Sequence, residues 1–368
     1  MAEPGASAGD GLGIYVHVPF CASRCDYCAF ATWTGISHLA TRYVDACLSE
    51  LQSAYEAGLG KAATVFFGGG TPSQLPAEEL VRLLSAISLK DAAEVTVECN
   101  PEDVTSNLLS AYRSAGVTRI SLGVQSLAPR VLAGLGRRHS AEAVPQAVAA
   151  VGKAGFSTFS VDLIYGARPE SDEDWAATVK GVLALEPQPP HVSAYGLHAE
   201  PGTPLGRDPN RHPDDDVQAQ RYELADEVLE AAGLFWYEIS NWSRPGHECR
   251  HNQNYWRQGE YLGIGCAAHS HLAGRRFWNI RTPERYIAAI SSKSSPVAGQ
   301  ERLGPEASML EALELAIRTR EGVDARALPD DDAIAGLVER QNGRVVLTRR
   351  GRLLANEVAC RLACPAQI

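Results

Sequence analysis

Three cysteines in one short segment are the residues of this sequence best suited to chemistry. Cys21, Cys25 and Cys28 are separated by three and then by two residues, so their thiols belong to one loop. Thiolates are soft ligands that select zinc, copper(I) or iron–sulfur clusters. A [4Fe–4S] cluster ordinarily takes four cysteines, so three close cysteines indicate a cluster with one iron that lacks a protein ligand. Such an open iron is free to chelate a small molecule.

Two other interpretations of the cysteine loop stay open on spacing alone. A structural zinc ion takes four protein ligands, and the remote Cys249 or Cys266 is available to complete such a site. The three residues are also compatible with plain reduced thiols. His17 precedes the loop but belongs to a predicted strand, so we leave it out of the ligand set.

Short apolar runs alternate with helical patterns between residues 13 and 197, and these elements must position the cysteine loop. Strands that alternate with helices indicate βαβ units and a parallel sheet. Six units are too few for a closed barrel of eight, so we predict an α/β fold with a partial (β/α)6 barrel. The predicted strands are 14–18, 63–69, 94–99, 119–124, 156–166 and 191–197. The predicted helices between them are 38–57, 77–88, 105–115, 141–154 and 171–185.

Polar residues and glycines gather where the predicted strands end. In such folds, ligands bind at the carboxyl ends of the strands. The cysteine loop follows the first strand, and Gly68–Thr71 follows the second, where glycines allow a close backbone approach to a ligand. We expect these features to converge on one site with the polar residues at the other strand ends. Those residues are Glu98, Asn100, Gln125 and Asp162.

The segment IYVHVPFCASRCDYCAF resembles the opening of the radical-SAM superfamily, whose signature is Cys-x3-Cys-x2-Cys. The resemblance implies that Cys21, Cys25 and Cys28 hold a [4Fe–4S] cluster whose open iron binds S-adenosylmethionine (SAM). In that superfamily, an electron from the reduced cluster breaks a C–S bond of SAM and gives a 5′-deoxyadenosyl radical. The protein's share in such chemistry is to position the cofactors and to exclude water.

Further segments narrow the resemblance to the oxygen-independent coproporphyrinogen III oxidase family. TVECNPEDV, RISLGVQS, LGRRH and VDLIYG are similar to segments of that family, which can be followed from residue 13 to residue 358. The resemblance implies a set of SAM contacts, in which Arg138 is the alternative to its neighbour Arg137. The implied contacts are Tyr15, Tyr27, Gly69, Gly70, Thr71, Glu98, Gln125, Arg137 and Asp162.

That family has two branches, and position 30 separates them. One branch oxidatively decarboxylates coproporphyrinogen III and has a further cysteine two residues after the third, where this chain has Phe30. That branch also has a longer segment before the cysteine loop. The other branch is a heme chaperone with a His-Asn-x-x-Tyr-Trp element, which this chain has at residues 251–256. We therefore favour the heme chaperone and keep the decarboxylating dehydrogenase as the alternative.

The element at residues 251–256 supplies a candidate heme ligand. Histidine is a common axial ligand of heme iron, and flanking aromatic side chains are able to cover a porphyrin face. We predict His251 as the ligand, with His269 and His271 as secondary candidates. The alternative is that His251 lies in a surface loop and that its aromatic neighbours pack between domains. Two uses of SAM also stay open: radical cleavage in turnover, or organisation of the fold and of a homodimer.

Changes in residue composition and in hydrophobic pattern along the chain predict four parts. The first is a flexible tail at residues 1–12, and the second is the radical-SAM partial barrel at 13–235. A segment dense in aromatic and polar residues, at 236–300, is expected to pack on the barrel. Helical patterns, then RVVLT and a basic turn, predict a winged-helix-like domain at 301–368.

Charge and composition limit the partners of this chain. A net charge of −10 argues against a general affinity for nucleic acid, and so against the second alternative, a non-catalytic zinc-loop protein that binds nucleic acid. No apolar run approaches the roughly 20 residues that span a bilayer, and the N-terminal residues lack the features of a secretory signal. We expect a cytoplasmic protein, peripheral at the membrane, that passes heme to acceptor hemoproteins such as respiratory ones.

Overall fold

The strands that alternate with helices form one parallel sheet, as predicted. The computed structural model describes residues 11–364, and its first six strands pair in chain order, each parallel to the next. Their carboxyl ends therefore meet at one edge of the sheet. This arrangement confirms the predicted α/β fold with a partial barrel of six units. The strands are β1 (Gly13–Val18), β2 (Ala62–Gly69), β3 (Leu89–Cys99), β4 (Arg119–Gln125), β5 (Thr158–Tyr165) and β6 (His191–Gly196).

The helices that connect these strands carry local signals at their ends. The helix after β3 begins beyond Thr105, whose hydroxyl accepts from the N–H of Leu108, and it stops at Gly116, which has a φ of 100°. The helix between β5 and β6 begins with a capping box formed by Ser171 and Asp174. The helices are α1 (Ala40–Glu56), α2 (Ala77–Ala86), α3 (Ser106–Ala115), α4 (Pro129–Gly134), α5 (Ala143–Lys153) and α6 (Asp172–Leu183).

The segment after β6 adds short strands to both edges of the same sheet, and no sequence pattern predicts them. Two strands extend the β6 edge and four extend the β1 edge, so the sheet has twelve strands. Each added strand has three to five residues, which is too short for an alternating pattern to stand out. These elements are α7 (Asp215–Ala231), β7 (Phe235–Glu238), β8 (Asn241–Ser243), α8 (Arg250–Trp256), β9 (Tyr261–Ile264), β10 (His269–Leu272), β11 (Arg275–Asn279), α9 (Pro283–Ser291) and β12 (Val297–Glu301).

The C-terminal part forms a smaller unit with its own hydrophobic core. Three antiparallel strands pack with helices there, which matches the predicted winged-helix-like arrangement. A buried ion pair joins this unit to α7, because Arg352 places both terminal nitrogens 2.8 Å from the carboxylate oxygens of Asp226. The elements are α10 (Pro305–Ile317), β13 (Val323–Asp324), β14 (Val338–Gln341), β15 (Arg344–Leu347), α11 (Arg349–Leu353) and α12 (Ala355–Ala359).

The predicted domain boundaries stay predictions. The large sheet draws strands from both sides of the predicted boundary at residue 235. Of the predicted tail at 1–12, residues 1–10 lie outside the described residues, as do residues 365–368. Among the helices of residues 11–364, none has both the length and the apolar character that a membrane crossing requires.

Candidate functional site

A cavity of about 440 Å³ opens at the carboxyl ends of the parallel strands. The cysteine loop that follows β1 lines it, together with residues that follow the other strands. Nearly all of the predicted site residues meet at this cavity, although they come from distant parts of the chain. Those that line it are Cys21, Cys25, Tyr27, Cys28, Gly69, Gly70, Thr71, Glu98, Gln125, Arg137 and Asp162.

Backbone hydrogen bonds hold the cysteine loop against the strand ends. The N–H of Cys21 donates to the carbonyl of Trp33 over 3.0 Å, and the N–H of Cys28 donates to the carbonyl of Cys25 over 3.2 Å. Burial raises the pKa of the Cys21 and Cys28 thiols, so in the protein alone these thiols keep their protons at neutral pH. Coordination to a metal deprotonates a thiol. The loop therefore presents thiols that a bound cluster would convert into thiolate ligands.

Arg137 brings a positive charge to the cavity beside the cysteine loop. Its guanidinium lies 3.5 Å from the Cys25 sulfur, and it donates to Asn100 Oδ1 over 2.6 Å and to the Gly123 carbonyl over 2.9 Å. Its Nε is buried and has no hydrogen-bond partner among residues 11–364. Arg138 is exposed and donates to a backbone carbonyl of the loop over 3.5 Å. Of the two neighbours, Arg137 therefore has the buried donor that suits an anionic ligand group.

The glycines after β2 allow the backbone to lie close to the cysteine loop. Gly69 has a φ of 109°, and a Cβ at this position would collide with the ring of His17. A Cβ on Gly70 would lie 2.8 Å from backbone oxygens at the end of β1. The hydroxyl of Thr71 then lies 3.5 Å from the Cys21 sulfur. Larger residues at the two glycine positions would push this turn away from the loop.

Two carboxyl groups face the same cavity from β3 and β5. Burial and the nearby Asp162 raise the pKa of Glu98 to about 8, although the Gly69 N–H donates to its Oε2 over 3.3 Å. Burial also raises the pKa of Asp162, which accepts from the Ser121 hydroxyl over 2.7 Å. A cationic ligand group, such as an amine or a sulfonium, lowers both pKa values because it favours the ionised carboxylates. This wall of the cavity therefore suits a positively charged ligand group.

Replacement of Glu98 by glutamine is expected to stabilise the cofactor-free protein at alkaline pH. The unfolded chain ionises Glu98 near pH 4.5, whereas the folded protein retains this proton up to about pH 8. The contribution of Glu98 to stability is therefore full below pH 4.5 and is lost as the pH rises through this window. Since each pH unit in this window changes the free energy of unfolding by up to about 1.4 kcal/mol, we expect the variant to be more stable than the wild type by several kcal/mol at pH 8.

Urea unfolding of the Glu98→Gln variant and of the wild type at pH 5, 6.5 and 8 checks this expectation. The difference in free energy of unfolding is expected to be small at pH 5 and to grow towards pH 8. A difference that stays constant over this range would show that Glu98 does not change its ionisation on unfolding.

The cavity also contains polar side chains outside the predicted set of contacts. Asn100 accepts from Arg137, and its amide donates to the Thr71 hydroxyl over 3.4 Å, so it links two predicted contacts. Tyr195, at the end of β6, also lines the cavity. In the sequence, the only feature that marks these two residues is their position at the end of a predicted strand. Gln125 reaches the cavity at a bulge between β4 and β5, where its φ is 66°.

Tyr15 is the predicted cofactor contact that the structure does not place in this cavity. Its hydroxyl lies 3.0 Å from His17 Nδ1, and its side chain lines two neighbouring clefts. His17 Nε2 lies 2.9 Å from the carbonyl of Ala31, which connects β1 to the end of the cysteine loop. In this structure Tyr15 therefore supports the loop through His17. Its role as a direct SAM contact stays a prediction.

His251 is buried in α8, which corrects the alternative that it lies in a surface loop. Its Nδ1 lies 2.8 Å from the Thr64 hydroxyl, and its Nε2 lies 2.8 Å from the Tyr255 hydroxyl. Burial lowers its pKa to about 3, so the ring is neutral. Because both ring nitrogens are engaged, a metal would reach His251 only if the Tyr255 hydroxyl or the Thr64 hydroxyl moved away. The role of His251 as axial ligand stays a prediction, and it requires that a hydroxyl partner leave one of the ring nitrogens.

The remote cysteines do not complete a zinc site with the loop. The Cys249 sulfur lies 3.7 Å from a Glu94 oxygen, the Cys266 sulfur lies 3.6 Å from the Tyr43 hydroxyl, and neither residue lines the cavity. In the described part of the chain, no three His, Cys, Asp or Glu side chains are arranged around a single metal ion. The cavity does fit a [4Fe–4S] cluster with SAM, because it combines three thiols, a glycine turn and the unpartnered Nε of Arg137.

Two similarities to known proteins indicate the class of protein. A family model described as the Radical SAM superfamily matches residues 15–181. The solved structure of coproporphyrinogen III oxidase (HemN) from Escherichia coli superposes with a TM-score of 0.84. The superposition covers 95% of this chain and 89% of the coproporphyrinogen III oxidase chain. The two sequences are 22% identical, so this similarity shows the fold alone. The parallel sheet and its cysteine loop therefore have the fold of a radical-SAM domain.

The particular family follows from relatives that match most of the chain. The heme chaperone HemW of Mycobacterium tuberculosis is 43% identical over 95% of this chain and 94% of its own length. HemW of Bacillus subtilis is 31% identical over 94% of this chain and 97% of its own length. HemW of Escherichia coli is 39% identical over 70% of this chain and 69% of its own length. The chain belongs to the HemW heme chaperone family. This finding confirms the branch favoured by the sequence motifs over the decarboxylating one.

Proposed function

We propose that this protein is a heme chaperone that carries a [4Fe–4S] cluster and SAM and passes heme to acceptor hemoproteins. The relationship to HemW proteins over nearly the whole chain carries this proposal. Position 30 supports it, because Phe30 lies at the cysteine cavity where the decarboxylating branch has a cysteine. The alternative, an oxygen-independent coproporphyrinogen III dehydrogenase, shares the fold but differs at that residue.

The proposed cluster is held by Cys21, Cys25 and Cys28, and its open iron binds SAM. A bound and reduced cluster would supply the electron for radical cleavage of SAM, which is one of the two uses of SAM; the other is to organise the fold and the dimer. The chain's own residues hold and orient the ligands: the Arg137 guanidinium suits the carboxylate of SAM, and the Glu98 carboxyl suits its positively charged groups. Most of the remaining proposed contacts shape the cavity around these groups, whereas Tyr15 lines the neighbouring clefts and is proposed as a contact on the sequence motif alone. These remaining contacts are Tyr15, Tyr27, Gly69, Gly70, Thr71, Gln125 and Asp162.

Heme is the proposed cargo, and if the buried His251 is its ligand, the hydrogen bonds of this histidine give a physical reason for release. To bind iron, His251 must exchange its hydrogen bond to Tyr255 or to Thr64 for a bond to the metal. This competition lowers the affinity for heme compared with a histidine that has a free nitrogen. A chaperone requires such reversible binding, because it must give its cargo to a partner.

The proposal also includes the proteins that accept the heme and the cellular location of the chaperone. We propose that the acceptors are respiratory hemoproteins at the membrane face, and that the chaperone is a cytoplasmic protein that visits this face. A homodimer would bring two clusters together and is also part of the proposal. The net charge of −10 disfavours nucleic acid as a partner.

A paired assay tests the heme chaperone against its enzymatic alternative. Protein purified without oxygen is loaded with hemin and mixed with a heme-free hemoprotein, and transfer is followed by absorbance of the acceptor. The same preparation, with a reductant and SAM, is incubated with coproporphyrinogen III. We expect hemin transfer and no vinyl products. Vinyl formation at every turnover, or failure to bind hemin, would overturn the proposal.

A further inference from the structure

A second cleft, of about 580 Å³, lies beside the cysteine cavity. Ala29 and Phe30 line both spaces, so the end of the cysteine loop separates them. The other walls come from β1, β10, α8 and α10. Its volume is within the range of about 300–1,000 Å³ that is usual for cofactor and small-molecule sites. None of the three cluster cysteines lines this cleft.

Strand β10 presents two histidines to the cleft. His271 has its Nδ1 3.3 Å from the carbonyl of Gly259, so this nitrogen carries the proton and leaves the lone pair on Nε2. Among residues 11–364, Nε2 of His271 has no hydrogen-bond partner. Histidines that bind metals commonly donate their other ring N–H to a backbone carbonyl in this way. His271 thus has the tautomer of a metal ligand, which His251 does not have in this structure.

His269 differs from His271 although both lie on the same face of β10. Its ring stacks on Trp278, with 5.7 Å between the ring centroids and an angle of 25° between the planes. Two histidines on one face of a strand approach an iron from the same side, so they cannot be its two opposite axial ligands. Because the His271 ring is oriented by a hydrogen bond, we assign the ligand role to His271.

Arg281 gives the cleft a positive charge without an acidic partner in the described part of the chain. The other arginine of the cleft, Arg276, forms ion pairs with Glu311 and with Glu301. Arg281 is exposed and is therefore available to a carboxylate ligand, which guanidinium groups bind strongly. A porphyrin such as heme carries two propionate carboxylates at one edge of a flat apolar ring.

Aromatic side chains supply the apolar surface that such a ring requires. Phe30 is 67% exposed, whereas large apolar side chains are usually buried. Tyr255 and Tyr261 form an edge-to-face pair in the cleft, with 4.5 Å between their ring centroids. A flat ligand in the cleft would remove the Phe30 ring from water, which is favourable by about 25 cal/mol per Å².

We propose that this cleft binds the porphyrin of heme, with His271 Nε2 on the iron and Arg281 beside a propionate. This inference rests on the proposed function, since it assumes that heme is the cargo, and it makes His271 the iron ligand in place of His251, whose ring nitrogens are both engaged. Tyr255 lines the cleft and also holds His251, so a porphyrin in the cleft lies next to the hydroxyl that shields His251. The site thus places heme between the cysteine loop and the C-terminal unit.

Hemin titration of the full-length, anaerobically reconstituted protein tests the site. The variants are His271→Ala and, as a matched control, His38→Ala, which changes an exposed histidine outside the cleft. We expect His271→Ala to weaken hemin binding at least tenfold and to alter the Soret band, and added imidazole to restore the band. His38→Ala is expected to match the wild type. Iron and sulfide content checks that each variant retains its fold and cluster.

The outcomes separate this inference from the proposed function. Failure of the wild type to bind hemin would remove the heme chaperone proposal itself. Wild-type binding with an unchanged spectrum and affinity in His271→Ala would overturn only the cleft assignment. If His269→Ala altered the Soret band on hemin binding and His271→Ala did not, this result would also contradict the assignment of His271 as the ligand. Arg281→Glu is expected to weaken hemin binding severalfold without a change of the Soret band, because it alters charge and not the ligand.

Discussion

Replacing Cys25 by alanine is expected to reduce the iron and sulfide content from about four of each per chain to nearly zero. The three thiols come from one loop, and the described structure brings no further cysteine into the cavity except Cys99, which is buried in β3 and points its sulfur towards the Val97 carbonyl. With two thiolates, the cluster lacks the ligands that hold three of its irons. Iron and acid-labile sulfide are measured after anaerobic reconstitution, together with the visible absorbance.

Cys360→Ala is the matched control for this loss, because Cys360 is an exposed cysteine that does not line the cavity. We expect this variant to keep the full iron and sulfide content of the wild type. Equal cluster content in Cys25→Ala would contradict the ligand assignment. One zinc per chain in the wild type, without sulfide, would instead support the zinc-loop alternative.

Replacing Arg137 by leucine is expected to weaken SAM binding by tenfold to a hundredfold. The guanidinium combines a half-buried charge, a contact with Cys25 and a buried, unpartnered Nε in the same cavity. A hydrogen bond to a charged group contributes about 1.5–3 kcal/mol, and each 1.4 kcal/mol corresponds to about a factor of ten in affinity. Equilibrium dialysis with radiolabelled SAM, on protein with a full cluster, measures the change.

Arg138→Leu provides the control for this prediction, because the two arginines are neighbours in the chain. Arg138 is exposed, so we expect its replacement to change SAM affinity by less than about threefold. A larger loss in Arg138→Leu than in Arg137→Leu would reverse the assignment. Arg137→Lys is expected to restore only part of the affinity, because an ammonium lacks the planar fork of donors.

The fold of the barrel could be predicted because its six strands and five of its six helices carry local patterns, whereas α4, with six residues, is too short to show a helical period. The six parallel strands contain short apolar runs that alternate with helical patterns along the chain, which is typical of βαβ units. The added strands, such as β8 with three residues and β9 with four, contain too few positions to show a period. Their pairing depends on the edges that β1 and β6 leave open, and this is a property of the assembled sheet.

The candidate site could be predicted where residues follow a strand directly. Glu98 and Asp162 meet in the cavity because parallel strands bring their carboxyl ends together. Tyr15 and His251 differ, because their roles depend on which neighbours their polar atoms contact. Tyr15 turns to His17, and α8 packs His251 against Thr64 of β2. Such contacts arise from the packing of distant elements, which a motif in a single sequence does not encode.

We propose above all that three cysteines leave one iron of the cluster open to SAM. Electron paramagnetic resonance of the dithionite-reduced wild type, recorded with and without SAM, tests that claim most directly. A SAM molecule that ligates the open iron must change the g values and the line shape of the cluster signal. We expect this change in the wild type and in Arg138→Leu. A cluster signal that is identical with and without saturating SAM would contradict the account.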